Sequence, residues 1–194
     1  MVIDTATKYI YLSLIMDDKE VESVYEVGQN NHSVTIMPYI NEILLKHQLG
    51  LKDIDEVIVG VGPGSYTGVR IGVTVAKMIG YLNQIKVFQV SSLALMASHG
   101  EATYLCPLID ARRGNAFMAY FRQEEGRLTY VKQDVLENVE VFQEGLSEAY
   151  QVITEGQPVI EKILQSQLLE EVTDVHALVP NYLQKTEAER NLEK

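Results

Sequence analysis

The pattern of apolar and polar positions divides the chain into short β-type runs and two strongly periodic helical segments. A short strand at Met1 to Thr5 is followed by strands near Tyr9 to Met16 and Glu20 to Val27, and the polar Asp17-Asp18-Lys19 between them makes a hairpin turn. From about Ser33 to His47 the period changes, and Ile36, Ile40, Ile43 and Leu44 fall on one face of a helix. The apolar run Val57 to Val61 is a strand; a glycine turn and a second helix follow, then a strand at Lys86 to Val90 and a helix capped by Ser91 or Ser92. The second half starts again in the same way. Ile109-Asp110-Ala111 echoes Ile3-Asp4-Thr5, Asn115 to Arg122 and Leu128 to Lys132 form strands around the polar turn Gln123 to Gly126, and the two units lie 110 − 4 = 106 residues apart.

A repeated strand-Asp-turn-hairpin unit predicts two related subdomains facing each other, residues 1–102 and a smaller 103–194, with the last segment returning to pack on the first. The fold class that follows is α/β, the actin-like and sugar-kinase (ribonuclease H-like) fold, with two tandem subdomains of mixed sheets and the second reduced. In that fold, hairpins bearing an aspartate flank a nucleotide's phosphates and metal, so Asp4 and Asp110 are chemical candidates. The alternative is that each aspartate caps a tight turn through its own backbone, for Asp110 with Arg112 and Arg113 beside it.

The stretch Gly62-Pro63-Gly64-Ser65-Tyr66-Thr67-Gly68 reads as strand, glycine turn and helix start, with Thr67 placed to cap a helix beginning near Gly68. Free amides at such a helix start can hold an anion. Two phosphate motifs nevertheless fail: no Lys-Ser/Thr pair follows the last glycine, and Thr67 stands where a dinucleotide fingerprint wants Gly or Ala. Within the helix, Gly68, Gly72, Ala76 and Gly80 repeat every four residues, so one face is almost bare backbone. Glycine in a helix costs about 1 kcal/mol against alanine, which implies a neighbour closer than side chains permit: the chain's own sheet or another protein's helix.

The formal charge is 16 − 27 = −11, which repels phosphate backbones, and no cluster of Lys and Arg with interleaved aromatics offsets it. Cys106 is the single cysteine, so no internal disulfide forms. No apolar run approaches a membrane span or follows a basic leader, and a soluble cytoplasmic protein is expected.

The ordered motifs resemble the TsaB (YeaZ) family of bacterial threonylcarbamoyladenosine tRNA modification. They are Ile3-Asp4-Thr5; His32-Ser33 with Met37-Pro38; Gly62 to Gly72; Val90-Ser91-Ser92-Leu93; Pro107 to Gly114; and Val179-Pro180-Asn181-Tyr182-Leu183. The resemblance implies a noncatalytic subunit that pairs with the catalytic paralogue TsaD, alongside the ATPase TsaE, and meets tRNA only through that complex. ATP and Mg2+ are then used by the complex, no cofactor is bound by this subunit, and a homodimer forms when it is alone. The implied partner interface is Ile36, Ile40, Ile43 and Leu44 with Gly68, Val69, Gly72, Val73, Ala76 and Gly80. The residual nucleotide candidates are Asp4, Thr5, Gly62, Gly64 and Asp110.

Comparison with the catalytic paralogue, whose strand ends in a Val-Asn-His-x-x-x-His metal motif, puts Ser92 and Met96 at the ligand positions when aligned on Val90. Neither replaces imidazole at a hard or borderline ion, so no metal site and no catalytic residues are assigned. His32, His47, His99 and His176 stand apart from one another, Ser65 lacks a nucleophile-elbow frame, and Cys106 reads as a buried thiol. The alternative function is a nucleotide-dependent phosphotransferase using Asp4 and Asp110. Two departures from the family's pattern are a short region from about Ala149 to Val179, in which a helix expected near residues 165–180 is only partly present in Gln165 to Val172 and which implies a reduced second subdomain or omitted residues, and a start that looks clipped by a few residues.

Overall fold

The computed structural model describes residues 1–28 and 32–183. β1 (Val2–Asp4), β2 (Tyr9–Met16) and β3 (Lys19–Val27) form an antiparallel ladder, and after α1 (His32–Lys46) the strand β4 (Glu56–Gly60) joins β1 in parallel. α2 (Tyr66–Asn83) carries the chain to β5 (Lys86–Val90), parallel to β4, and α3 (Ser92–Ala97) leads away to the second unit. There, β6 (Tyr104–Asp110), β7 (Asn115–Glu124) and β8 (Arg127–Asn138) repeat the antiparallel ladder. After α4 (Val139–Glu144), β9 (Gln151–Ile153) lies parallel to β6, and α5 (Ile160–Leu164) and β10 (Glu170–Glu171) complete the elements. The strand order β4-β1-β2-β3 in one sheet and β9-β6-β7-β8 in the other is the same order, so the repeat read from the two Asp-bearing segments is a repeat of topology. Both hairpins turn through consecutive left-handed residues, Asp17 and Asp18 at φ 51° and 59°, Glu125 and Gly126 at 50° and 78°, a twist that matches the strands they join.

Side-chain alternation along the strands sorts the interior into layers. Ile3, Leu12, Val57, Val59 and Val87 face α1 and α2, whereas Val2, Tyr11, Ile58 and Val90 face α3, α5 and the second sheet. On β7, Phe117, Ala119 and Phe121 point to that central layer, and Ala116, Met118 and Tyr120 point outward under Phe142 of α4. The order is therefore α1 and α2, first sheet, α3 and α5, second sheet, α4.

This layering corrects the expected partner interface. Ile36, Ile40, Ile43, Leu44, Val69, Val73 and Ala76 are buried in the chain's own core against the first sheet, and so are unavailable to another subunit. The bare face of α2 serves the same packing. The Thr5 hydroxyl donates to Gly68 O at 2.7 Å and accepts from Gly72 N at 3.0 Å, so β1 reaches into the backbone of the helix. A Cβ at Gly68 would stand 2.1 Å from Thr5 O, one at Gly72 would stand 2.6 Å from Thr5 Oγ1, and one at Gly80 would stand 2.4 Å from Val87 Cγ2. The close neighbour implied by the glycines is the chain's own β1 and β5.

Two local expectations also change. α2 starts at Tyr66, two residues earlier than Thr67 would set it, because Ser65 is the N-cap and its hydroxyl accepts from Gly68 N. The helix expected at Gln165 to Val172 is absent: α5 ends at Leu164, and Glu170 and Glu171 pair antiparallel with Gln89 and Phe88, filling the open edge of β5. The chain then runs back along α2. Lys77 Nζ donates to the carbonyls of His176 and Leu178, Leu178 enters the core, and Asn181 N donates to Val61 O.

Candidate functional site

A cleft of about 1060 Å³ lies between the two Asp-bearing turns. The β1–β2 turn contributes Asp4, Thr7 and Lys8, the start of α2 contributes Gly64 to Thr67, and α3 contributes Ser92 and Met96. The β6–β7 turn brings Asp110 to Arg113 from the other side, and Glu155 and Gly156 close one end. Glu155 Oε2 takes an ion pair from Lys8 at 2.9 Å and a hydrogen bond from Tyr9 at 2.9 Å, tying the first unit to the second. Tyr9 in turn stacks on Tyr25 with ring centroids 4.3 Å apart.

Asp4 is the buried group of this site, 8% exposed. Its Oδ1 accepts from Ala6 N at 3.0 Å and from Ser92 Oγ at 2.9 Å. Burial outweighs these bonds and the nearby Thr5 amide, and pushes the carboxyl up to about 6. Asp110 makes the same i to i+2 bond, its Oδ1 accepting from Arg112 N at 2.8 Å, but is exposed. Both aspartates therefore cap their own turns and both line the cleft.

Of the nucleotide candidates, the cleft gathers Asp4, Gly64 and Asp110. Thr5 is wholly buried against α2, and Gly62 is buried with its N–H donating to Ser92 Oγ; neither reaches the cleft. Ser92 and Met96, at the positions where the paralogue's metal histidines are expected, do line it. The Ser92 hydroxyl is committed to Asp4 Oδ1 and Gly62 N, and the Met96 thioether is buried, so the donors present do not suit a hard or borderline metal. His99 lies elsewhere, its Nδ1 3.2 Å from Gln157 O. Lys8, Tyr9 and Glu155 are cleft residues that sequence reasoning missed, since nothing local in the chain announces that Glu155 returns to Lys8.

A second surface is formed by the outer faces of α1 and α2, which pack side by side on the first sheet. Val34, Met37 and Leu45 stand outward on α1, and Met78, Tyr81 and Leu82 stand outward on α2, with Val34 and Leu82 each 70% exposed. Ile71 and Val75 extend the α2 stripe at helical spacing and are half-buried.

A family model described as TsaD, tRNA N6-adenosine threonylcarbamoyltransferase, matches residues 23–149. The tRNA threonylcarbamoyladenosine biosynthesis protein TsaB of Bacillus subtilis is 30% identical over 224 residues, covering 97% of this chain and 95% of that protein. The chain belongs to the TsaB family. The TsaB of Escherichia coli is 33% identical over 129 residues, covering 64% of this chain and 55% of that protein. The solved structure of YeaZ from Pseudomonas aeruginosa superposes with a TM-score of 0.77 at 21% identity, covering 94% of this chain and 98% of that one, so the fold is that of YeaZ. The alignment to the Bacillus TsaB exceeds this chain by 224 − 194 = 30 positions, so that relative carries residues within the aligned span that this chain lacks. Among the described residues no helix is long and apolar enough to cross a membrane.

Proposed function

We propose that this chain is the noncatalytic partner subunit of a tRNA threonylcarbamoyladenosine-forming complex. It associates with a TsaD-like catalytic paralogue and acts with a TsaE-like ATPase in the cytoplasm, the complex using ATP and Mg2+, and it meets tRNA only through that complex. The observation that carries this reading is the match to a TsaB along nearly the whole of both chains. The cleft supports it: Ser92 is spent on holding Asp4 and the glycine turn, and Met96 offers no imidazole. The surface supports it as well, because α1 and α2 present an apolar outer face although their core-facing residues are already satisfied within the chain.

In this reading the paralogue, or a second copy of this chain when alone, covers Val34, Leu45, Met78 and Leu82. Burying a Met or Leu contributes about 1.5–3 kcal/mol, so removing Met78 and Leu82 weakens association by at least about 100-fold. The test is light scattering on the chain alone and mixed with the TsaD-like subunit, comparing wild type with Met78→Glu/Leu82→Glu. Loss of both assemblies with an unchanged melting temperature is the expected result. Association that survives the double substitution refutes this surface, and robust turnover by the isolated chain that is lost in Asp4→Asn refutes the noncatalytic role.

A further inference from the structure

One end of the cleft is closed by a segment of the second unit that grips the β2–β3 hairpin of the first at successive residues. Glu155 Oε2 accepts from the Tyr9 hydroxyl and pairs with Lys8 Nζ, both at 2.9 Å. Gly156 N donates to the Tyr25 hydroxyl at 3.0 Å, and Gln157 Nε2 donates to Glu20 Oε1 at 3.1 Å and to Ser23 Oγ at 2.9 Å. The receiving groups are themselves fixed. Tyr9 stacks on Tyr25, and the Glu20 carboxylate also accepts from Tyr11 at 2.8 Å and from Ser23 at 2.7 Å. Polar groups joined in this way hold one another in place.

On its other side the segment is seated on the end of α3. Gln157 O lies 3.2 Å from His99 Nδ1, and Val159 N donates to Ser98 Oγ at 2.8 Å. Gly156 has a φ of 142°, and a Cβ there would stand 2.2 Å from His99 Cδ2, so only glycine lets the chain pass against the imidazole and still reach Tyr25. The head of α3 is tied to the first unit instead: Ser92 Oγ donates to Asp4 Oδ1 and accepts from Gly62 N, and Ser92 N donates to Gly62 O. Between these ends α3 packs on β6 and β7. The helix therefore moves with the second sheet, has its hinge at Ser92, and carries the gripping segment at the far end.

We infer that residues 155–157 are a latch that sets the angle between the two units, holding the cleft at its width from one end with nothing bound inside it. Release breaks polar contacts of the hairpin and leaves both sheets and their ladders whole, so the units part as a local opening and not as unfolding. The methionines register the difference. Met96 lines the cleft and is 5% exposed, so parting of the units uncovers it. Met118 is 0% exposed in the layer beneath α4, on the far face of the second sheet, and stays covered until that sheet unfolds.

The test is hydrogen peroxide oxidation of the full chain under native conditions, with sulfoxide at each methionine followed by peptide mass spectrometry. Met16, Met37 and Met78, which are exposed, should react first in every variant and calibrate the oxidant. Glu155→Ala/Gln157→Ala should raise the Met96 rate by about ten-fold and leave that of Met118 unchanged. Gly156→Ala should raise the Met96 rate as well, because the segment can no longer sit against His99. Glu155→Gln, which keeps an acceptor for Tyr9, should fall between wild type and Glu155→Ala. A Met96 rate in the double variant equal to that of wild type overturns the inference. A parallel rise at Met96 and Met118 overturns it too, since it would mark these contacts as ordinary packing whose loss loosens the whole fold.

Discussion

Gly68→Ala puts the contact between α2 and β1 to a direct test. Helix propensity alone favours the variant by about 1 kcal/mol. The new Cβ, however, would stand 2.1 Å from the Thr5 carbonyl oxygen, more than an ångström inside the 3.4 Å at which ordinary contact begins. The obstacle is backbone of a central strand, so α2 has to move outward. Overpacking of this kind costs about 1–3 kcal/mol. The shift also breaks the two hydrogen bonds of the Thr5 hydroxyl, to Gly68 O and from Gly72 N, each contributing about 1 kcal/mol. Setting about 2 for packing and about 2 for hydrogen bonds against about 1 gained gives a net destabilisation of about 3 kcal/mol. With an unfolding entropy of about 2.1 cal/mol/K per residue, 194 residues give about 0.4 kcal/mol/K, so the melting temperature should fall by about 7 °C. Thermal unfolding by circular dichroism reads this, with the exposed Thr74→Ala on the same helix as a control expected within about 0.5 kcal/mol of wild type. A Gly68→Ala variant that melts at or above wild type refutes the packing argument. One that melts normally but loses association would return the glycine face to an intermolecular role.

Two further outcomes follow from charge. The Asp4 carboxyl sits at about 6 when folded against 3.8 in the reference state, so the folded chain holds its proton more tightly; the resulting stability is full below about 3.8 and is lost as pH rises through about 6. About two pKa units correspond to about 3 kcal/mol, and urea titrations should show wild type losing up to that much relative to Asp4→Asn between pH 4 and pH 7, whereas parallel profiles would contradict the burial argument. Fluorescence anisotropy should show the isolated chain, at net charge −11, binding tRNA with no saturation below about 10 µM at physiological salt, and tighter binding with a steep salt slope would reveal a cationic surface.

The repeat was legible because both units spell it locally: a strand ending in Asp, a turn, and a hairpin closed by two left-handed residues. Which side of α1 and α2 faces inward was not, since each helix carries apolar residues on both sides. Ile36, Ile40 and Ile43 form the stronger stripe and belong to the core; Val34, Met37 and Leu45 form the weaker stripe and remain outside. The stronger apolar face of each helix is the one that the chain's own sheet claims. The helix expected after Gln165 failed for a non-local reason, because β5 offers Glu170 and Glu171 an open strand edge that no window around them records. The cleft was half legible: Asp4, Gly64 and Asp110 announce themselves, whereas the Lys8, Tyr9 and Glu155 bridge is made only by the fold.

The two aspartates share one turn geometry and differ in what surrounds them. Each accepts from the amide two residues on, so the turn itself is conserved between the units within this chain. Asp4 is covered because Ser92, at the head of α3, bonds it from above and because residue 60, at the end of β4, is glycine. A Cβ there would lie 2.6 Å from the Asp4 carboxyl carbon and 2.9 Å from the Ser92 hydroxyl. In the second unit the parallel strand β9 is only 3 residues long, and the helix that follows, α5, has 5 residues and packs between the sheets. Nothing equivalent to Ser92 bonds Asp110 among the described residues, so its carboxylate stays exposed while the adjoining residues, Arg112 and Arg113, remain open to the cleft. The second unit thus offers its turn no cover and leaves its arginines accessible, while the first unit holds the other carboxylate out of water. A cleft with one buried acceptor and two open cations is the chemical consequence of that unequal repeat.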